Sequence, residues 1–340
     1  MLPFPIQLLT LFVVSLAVAH ASAAEPSAAM PIKVGIIGLD TSHVIAFTKA
    51  LNNPDAPAEL RGVRVVVGYP GGSPDVESSA TRVEGFTQQL RTMGIEIVDS
   101  IDALLAKCDA VLLESVDGRP HLEQVKPVFA SGKPVFIDKP VAGSLADAIA
   151  IYRLSERTNV PCFSSSSLRF SPEVIGVRSN KAIGDVLGCV TYGPCSLEPH
   201  HPDLFWYGVH GVEMLFTIMG TGCKSVTRTS TADTDVVTGV WSDGRVGTFR
   251  GLRAGKAGYG AIVFGVNDIK LAGERAGYDP LLVEIVKFFK TGKPPVTPAE
   301  TLEIMAFMEA ADESKRQGGV PVTIAGVIER ADQERRSPSD

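Results

Sequence analysis

The chain has 340 residues, of which 45% are hydrophobic and 21% are charged, and its formal net charge is -6. This composition excludes a collagenous, disordered or polybasic protein, and the acidic balance argues against nucleic acid as the main partner. At roughly 100 to 200 residues per domain, the length predicts two domains. The five cysteines form no C-x-x-C pair and no zinc spacing, so they indicate neither a disulfide framework nor a zinc site. These observations favour a globular protein that acts on a small molecule.

The chain opens with an apolar run over residues 6–19. It is followed by Ala21-Ser22-Ala23-Ala24, small residues of the kind that signal peptidase accepts. We therefore predict a signal peptide over residues 1–24 and an exported, periplasmic protein. No Lys or Arg precedes the run, and Met30 lies directly before the first predicted strand, so the alternative is a cytoplasmic protein translated from Met30. No later stretch has the roughly 20 apolar residues of a membrane span, so we expect no membrane contact for the mature chain.

From Ile32 onward, short β-branched strands alternate with longer helical segments, which is the pattern of βαβ units. The predicted strands cover residues 32–37, 63–67, 95–98, 110–113, 134–137 and 162–164. The predicted helices cover residues 43–51, 82–93, 102–106, 121–130 and 145–156. Continuous apolar strands are typical of a parallel sheet that is covered by helices on both faces. We predict a Rossmann-type, doubly wound dinucleotide-binding domain over residues 31–165.

Beyond residue 165 the strands are punctuated by glycine, and several alternate apolar with polar residues. They are predicted at residues 186–192, 225–229, 236–241, 246–250, 260–264 and 269–271, with helices at 204–219, 281–290 and 298–317 to cover them. This pattern predicts an α+β domain over residues 166–325 with an open, largely antiparallel sheet, for substrate binding and oligomerisation. An open sheet face favours a homodimer or homotetramer. Residues 329–340 are charged and lack apolar periodicity, so we predict a flexible tail.

The turn after the first strand lies where a dinucleotide-binding G-x-G-x-x-G motif belongs. Gly38 matches the first glycine of that motif, but Asp40 and His43 replace the second and the third. One interpretation is a modified phosphate cradle, in which the hydroxyls of Thr41 and Ser42 and the free N–H groups of the helix start bind an anion. The other is that Asp40 or Thr41 only caps the helix.

The second half of a dinucleotide signal is a carboxylate at the end of the second strand, which binds the ribose hydroxyls. Residues 68–72 end that strand here and contain no acid. Asp75 comes late, after a loop rich in proline and glycine, and is interpreted as a solvated loop residue. If a cofactor binds, its adenosine end must be held in an unusual way.

Three motifs in order resemble the Gfo/Idh/MocA family, the relatives of glucose-fructose oxidoreductase and inositol dehydrogenase. Residues 132–140, GKPVFIDKP, are similar to the family's G-K-x-V-x-x-E-K-P with Asp138 in place of Glu. His121 begins a segment like the family's H-x-x-x-A-x-x-A, and residues 169–172 resemble its R-F-x-P. The resemblance spans roughly residues 32–322 and implies NAD or NADP as the cofactor. The cofactor-binding residues would be Gly38, Leu39, Asp40, Thr41, Ser42, His43, Asp138 and Lys139.

The same resemblance assigns Lys139 to the place between nicotinamide and substrate, and His210 to the His of the family's D-x-x-x-H, whose Asp is replaced by Trp206. A lysine after a parallel strand points into the crevice where α/β sheets bind ligands, although a lone lysine can also be a solvated surface charge. An imidazole can take a hydroxyl proton near neutral pH, although His210 can also be a buried, hydrogen-bonded histidine. Helical spacing places Trp206, His210 and Glu213 on one face. We predict Lys139, His210 and Glu213 as catalytic, with Asp203 or Glu213 orienting His210.

Trp206 favours a sugar-like substrate, because an aromatic face stacks on C–H surfaces. The predicted substrate-binding residues are Arg169, His200, His201, Asp203 and Trp206. Alternatively, the imidazoles of His200, His201 and His210 with the carboxylates of Glu198, Asp203 and Glu213 bind a divalent metal. Adjacent histidines seldom bind one ion together, so no metal is predicted. The run of serines at 164–167 contacts ligand or forms an interdomain hinge.

Two functions remain open. The first is an NAD(P)-dependent oxidoreductase that transfers hydride to or from a sugar, polyol or cyclitol, which Lys139 and His210 favour. The second is an exported fold relative without redox turnover, which acts as a sugar-binding protein or as a non-redox hydrolase or lyase. The altered glycine motif, the absent ribose carboxylate and the predicted export favour the second.

Overall fold

The computed structural model describes residues 30–273 and 277–336, and the chain from Pro31 onward forms one compact unit. The predicted signal peptide and the last four residues lie outside the described residues. None of the helices in the described ranges combines the length and apolar character needed to cross a bilayer. The five cysteines are buried and unpaired with one another, as their spacing predicts.

The first sheet is parallel and has the strand order β3-β2-β1-β4-β5-β6. Its strands are β1 (Ile32–Ile37), β2 (Val63–Tyr69), β3 (Glu96–Ile97), β4 (Ala110–Leu113), β5 (Val135–Ile137) and β6 (Cys162–Ser164). The order reverses between β1 and β4, and a sheet of this kind binds ligands in the crevice outside its carboxyl ends at that point. The apolar strands are buried on both faces, so the predicted doubly wound sheet is confirmed.

Helices cover both faces of this sheet. They are α1 (Ser42–Leu51), α2 (Glu77–Ala80), α3 (Val83–Thr92), α4 (Ile101–Leu105), α5 (His121–Ala130) and α6 (Leu145–Thr158). The side chains of Thr41 and Ser144 accept hydrogen bonds from backbone N–H groups at the starts of α1 and α6, which explains where these helices begin. The helices predicted from the sequence are present with small shifts at their ends. The short α2 was not predicted.

The second sheet is mostly antiparallel and has the order β12-β11-β7-β10-β9-β8-β13, with β7 and β10 parallel. Its strands are β7 (Val186–Pro194), β8 (Cys223–Ser230), β9 (Thr234–Trp241), β10 (Val246–Leu252), β11 (Gly260–Gly265), β12 (Ile269–Ala272) and β13 (Val322–Thr323). The helices that follow β6 in the chain are α7 (Pro172–Ser179), α8 (Asp203–Trp206), α9 (Gly208–Met219), α10 (Asp279–Thr291), α11 (Pro298–Arg316) and α12 (Ile324–Arg336). The predicted α+β architecture is confirmed.

Three details differ from the sequence-based expectations. The helix predicted over 204–219 breaks at Tyr207 into α8 and α9. Helix α10 packs on the first sheet rather than the second, because Leu281, Ile285 and Phe288 share a core with β1. The predicted flexible tail is wrong over residues 329–336, which continue α12: Ala331 is buried there.

Helix α9 lies unusually close to the second sheet. A Cβ atom at Gly211 would approach Phe249 on β10 to 2.2 Å, so only glycine fits. This contact fixes the depth of the helix turn that carries the neighbouring His210. The opposite face of the sheet is open and exposes apolar side chains, including Val246 and Leu271.

Candidate active site

A cavity of about 520 Å³ lies at the carboxyl edge of the first sheet and is lined by Lys139, Trp206 and His210. This volume is within the usual range for small-molecule sites. Lys139 follows β5, whereas Trp206 and His210 belong to α8 and α9. The structure therefore brings the two principal predicted residues, Lys139 and His210, to one pocket, with Trp206 in its wall.

Lys139 is 9% exposed and lies two residues after the end of β5, within the sequence motif at residues 132–140. The Lys139-Pro140 peptide bond is cis. The Lys139 ammonium lies 5.8 Å from the centre of the Tyr207 ring, a cation–π contact. The head group is thus directed into the cavity rather than to bulk solvent.

His210 is oriented by a serine and two tyrosines. Its Nδ1 lies 2.8 Å from the hydroxyl of Ser166, and its ring packs edge-on against Tyr207 and Tyr259 at centroid distances of 5.6 and 5.9 Å. Of the two carboxylates expected to orient His210, Asp203 pairs with Arg228, and Glu213 accepts from the N–H of Ser166, the residue whose hydroxyl contacts the ring. Ser166 was not predicted as a site residue. It belongs to the run of serines at 164–167, and the interpretation of that run as a ligand contact was the only sequence feature that indicated it.

Glu213 points away from this cavity and fixes the segment that carries Ser166. Its carboxylate is 4% exposed and accepts hydrogen bonds from the Ser165 hydroxyl at 2.6 Å, the Ser166 N–H at 2.7 Å and the Arg169 Nε–H at 2.7 Å. Arg169 also donates to Glu300 at 2.7 Å. Burial alone would lower the pKa of Arg169, but the two carboxylates raise it. Neither Glu213 nor Arg169 lines the cavity, which corrects their predicted catalytic and substrate-binding roles.

Three further predicted substrate residues, besides Arg169, lie outside the cavity. His201 is buried behind Trp206, with its Nε2 2.9 Å from Asp117. His200 is exposed and pairs with Glu198 at 2.8 Å, and Asp203 pairs with Arg228 at 2.8 Å. These partnerships correct the predicted substrate contacts. They also separate the residues of the alternative metal set.

Asp40 is fully buried and does not face a phosphate site. One carboxylate oxygen accepts from the Ser79 hydroxyl at 2.6 Å, and the other accepts from the Val116 N–H at 2.9 Å. Burial raises the pKa of Asp40. The side chain thereby joins the turn after β1 to α2 and to the loop after β4. Its predicted cofactor contact is not present in this geometry.

The backbone N–H groups of the turn at Gly38 are also engaged within the protein. The N–H groups of Gly38 and Leu39 donate to the carbonyls of Tyr69 and Pro70 at 3.0 and 2.8 Å. Gly38 has φ +84°, and a Cβ there would meet Ser115 at 2.3 Å, so the residue must be glycine for steric reasons alone. The predicted roles of Gly38 and Leu39 in holding a phosphate are therefore corrected: their amides continue the pairing of β1 with β2.

The start of α1, together with Ser78 of α2 and Arg82 just before α3, forms the polar wall of the cavity. Thr41, Ser42, Ser78 and Arg82 line it, and the positive end of the helix dipole is directed there. The hydroxyl of Thr41 also lies 3.5 Å from the N–H of His43, so the capping and anion-binding interpretations are compatible. This wall fits the phosphates of a dinucleotide, whereas the glycine turn does not. A carboxylate for the ribose is absent from the end of β2 as described.

His43, Glu114 and Asp138 form a buried cluster beside the cavity. His43 Nδ1 lies 2.8 Å from Asp138 Oδ2 and 3.6 Å from Glu114 Oε2. Burial alone would lower the pKa of His43, but the charges of Asp138 and Glu114 raise it to about 10. Burial and the charge of Asp138 raise the pKa of Glu114 to about 7. Burial opposes ionisation of Asp138, but His43 lowers its pKa to about 2. His43 lines the cavity, and Asp138 lies behind it.

Comparison with known proteins supports the fold that these residues build. Residues 32–166 match the model of an oxidoreductase family with an NAD-binding Rossmann fold, GFO_IDH_MocA. The resemblance inferred from the motifs is confirmed over these residues. Its NAD-binding description also agrees with the cofactor expected from the sequence.

Solved structures match over both sheets. The scyllo-inositol dehydrogenase of Lactobacillus casei, solved with NAD(H) and scyllo-inositol, is 15% identical with a TM-score of 0.70, covering 87% of this chain and 99% of that one. An Agrobacterium radiobacter oxidoreductase, solved with NAD+, L-tartaric acid and magnesium, is 18% identical with a TM-score of 0.68, covering 87% and 99%. A Thermotoga maritima protein described as a probable dehydrogenase is 20% identical with a TM-score of 0.70, covering 87% and 100%. At these identities the likeness establishes the fold.

Proposed function

We propose that the protein is an NAD(P)-dependent oxidoreductase that acts on a hydroxyl group of a sugar, polyol or cyclitol. The observation that carries the proposal is the meeting of Lys139 and His210 in one cavity of about 520 Å³. The family match over the first sheet supports a nicotinamide cofactor. Thr41, Ser42 and Arg82 would hold its phosphates at the start of α1, in place of the amides of a glycine-rich turn.

The cofactor, when bound, accepts or supplies the hydride. The chain's own residues manage the hydroxyl proton. Lys139 holds the reacting oxygen through its ammonium, and the ring of His210 accepts the proton as the carbonyl forms. Ser166 holds the imidazole at Nδ1, so that the ring keeps one orientation during the transfer. In the reverse reaction the same groups return the proton to the oxygen.

The walls of the cavity support a hydroxyl-rich substrate. Trp206, Tyr207 and Tyr259 supply aromatic faces, and Ser167 and Ser196 supply hydroxyls. Aromatic faces bind the C–H surfaces of a sugar ring while polar groups bind its hydroxyls. The scyllo-inositol found with the L. casei enzyme belongs to this chemical class.

The test combines nucleotide binding with turnover. Purified protein is denatured to release any co-purified nucleotide, and fresh protein is titrated with NADH and NADPH by fluorescence. A panel of sugars, polyols and cyclitols is then screened by absorbance of the reduced cofactor. Lys139→Ala and His210→Ala should each lower turnover by roughly 100-fold or more. Lys126→Ala removes an exposed lysine on α5 and should leave turnover unchanged.

A non-redox function is the second candidate, and one observation favours it. Asp40 and the amides of Gly38 and Leu39 are engaged within the protein, at the place where a dinucleotide motif would present free N–H groups. In that case nucleotide titration would be flat, with no nucleotide released on denaturation, while calorimetry would still detect binding of a sugar. This pair of results would replace the oxidoreductase proposal.

A further inference from the structure

Three side chains with metal-binding chemistry converge at the carboxyl ends of β1, β4 and β5. His43 lies in the first turn of α1, Glu114 directly follows β4, and Asp138 directly follows β5. One potential ligand atom from each lies within 4.8 Å of the others, and all three residues are buried. The switch point of the sheet produces this convergence, because it places the ends of these three strands side by side.

Two members of this cluster, Glu114 and His43, have buried polar atoms that lack the hydrogen bonds such groups normally make, whereas Asp138 Oδ1 accepts from the Lys139 N–H at 2.8 Å. Glu114 is fully buried, and neither of its carboxylate oxygens has a hydrogen-bond partner among the described residues. His43 Nδ1 approaches Asp138 to 2.8 Å, but the contact does not have the alignment of a hydrogen bond. Buried carboxylates are expensive unless they are paired or bind a metal. The two observations, convergence and unpartnered oxygens, point to a bound cation.

We propose that His43, Glu114 and Asp138 bind one divalent transition-metal ion, Zn²⁺ or Mn²⁺. One imidazole nitrogen and two carboxylate oxygens form a mixed donor set that suits these ions better than Ca²⁺ or Cu⁺. The two carboxylates balance the charge of the cation. Three protein ligands leave coordination positions for water or a substrate oxygen, as in catalytic rather than structural sites. Since His43 and Lys139 both line the cavity, the ion lies beside the proposed substrate site.

The competing arrangement has no metal: protonated His43 and Lys139 then balance the two carboxylates. Direct binding measurements distinguish the two without any assay of turnover or nucleotide. The full chain is stripped with chelator and titrated with Zn²⁺ and with Mn²⁺ by calorimetry, and bound Mn²⁺ is followed by electron paramagnetic resonance. We expect one ion per chain.

Two variants keep the shapes of the ligands while removing their charge. Glu114→Gln and Asp138→Asn should each weaken binding by at least about 100-fold, since loss of even an outer-sphere partner costs about 10- to 100-fold. Glu123→Gln, at a 71% exposed carboxylate on α5, is the matched control and should bind as the wild type does. His43→Gln provides a third variant if either substitution prevents folding, which circular dichroism would reveal.

The proposal is overturned if the wild type binds neither ion, or if Glu114→Gln binds with unchanged affinity. It is also overturned if binding is lost in Glu198→Gln instead, because Glu198 and His200 form a separate surface pair. The proposed oxidoreductase function stands or falls separately, since it is tested by nucleotide binding and turnover.

Discussion

Replacing Glu213 tests whether this carboxylate positions Ser166, and through it the ring of His210. Glu213→Gln keeps the shape of the side chain, but its amide NH₂ must face the donors of Ser165, Ser166 or Arg169. Breaking a buried ion pair costs about 3–5 kcal/mol. Arg169 keeps Glu300 as a partner, so we expect a loss near or just below the lower end of that range, about 2–4 kcal/mol.

Thermal unfolding followed by circular dichroism measures this loss. At about 1.5 °C per kcal/mol for a chain of this length, the melting temperature should fall by about 3–6 °C. Glu284→Gln, which removes a surface ion pair with Lys287, is the control and should shift it by little. Ser166→Ala should leave the melting temperature near that of the wild type but lower kcat with a smaller effect on KM. A Glu213→Gln variant that has the melting temperature of the wild type and retains full kcat would refute the positioning role.

Three further predictions concern stability and assembly. Asp40→Ala should destabilise the protein by about 2–4 kcal/mol in urea unfolding, because it leaves two buried donors without a charged acceptor, whereas Asp40→Asn should cost less. The exposed apolar face of the second sheet should be buried by a second copy, so light scattering should show a dimer or tetramer that Val246→Asp with Leu271→Asp dissociates. Burial raises the pKa of Asp312 to about 7. The folded state then binds this proton more tightly than the unfolded state, so stability should fall as pH rises from about 4 to 7, and Asp312→Asn should reduce that slope.

The first sheet was predictable because its strands are short, apolar and separated by helices of the right length. Periodicity does not say which sheet a helix covers, and for that reason α10 was assigned to the wrong one. Its residues Leu281 and Phe288 form an apolar stripe that would suit either sheet. The end of α12 was missed because only Ala331 is buried among the described residues 329–335, while an ion pair between Arg153 and Asp332 supplies a further contact.

At the candidate site, the position of a residue relative to its own strand was predictable, whereas the side-chain contacts between residues far apart in sequence were not. Lys139 follows a strand, so its place at the carboxyl edge of the sheet could be inferred from position alone. Trp206 and His210 line the same cavity although the helix predicted to carry both of them breaks at Tyr207. Glu213 and Arg169 have residue types suited to substrate binding, but they bind each other, which no spacing in the sequence reveals. Ser166 contacts His210 across 44 positions of the chain, a distance over which sequence patterns carry no pairing signal.

The two departures from the glycine motif have partners in the structure. Asp40 replaces the second glycine and accepts from Ser79 and the Val116 N–H. His43 replaces the third glycine and contacts Asp138, which itself replaces the family's glutamate. A turn that decayed at random would leave the buried carboxylate of Asp40 unmatched, and the cost of an unpaired buried charge would be several kcal/mol. The turn is therefore rebuilt around new contacts, and any anion that enters must be bound by the start of α1 rather than by the turn itself.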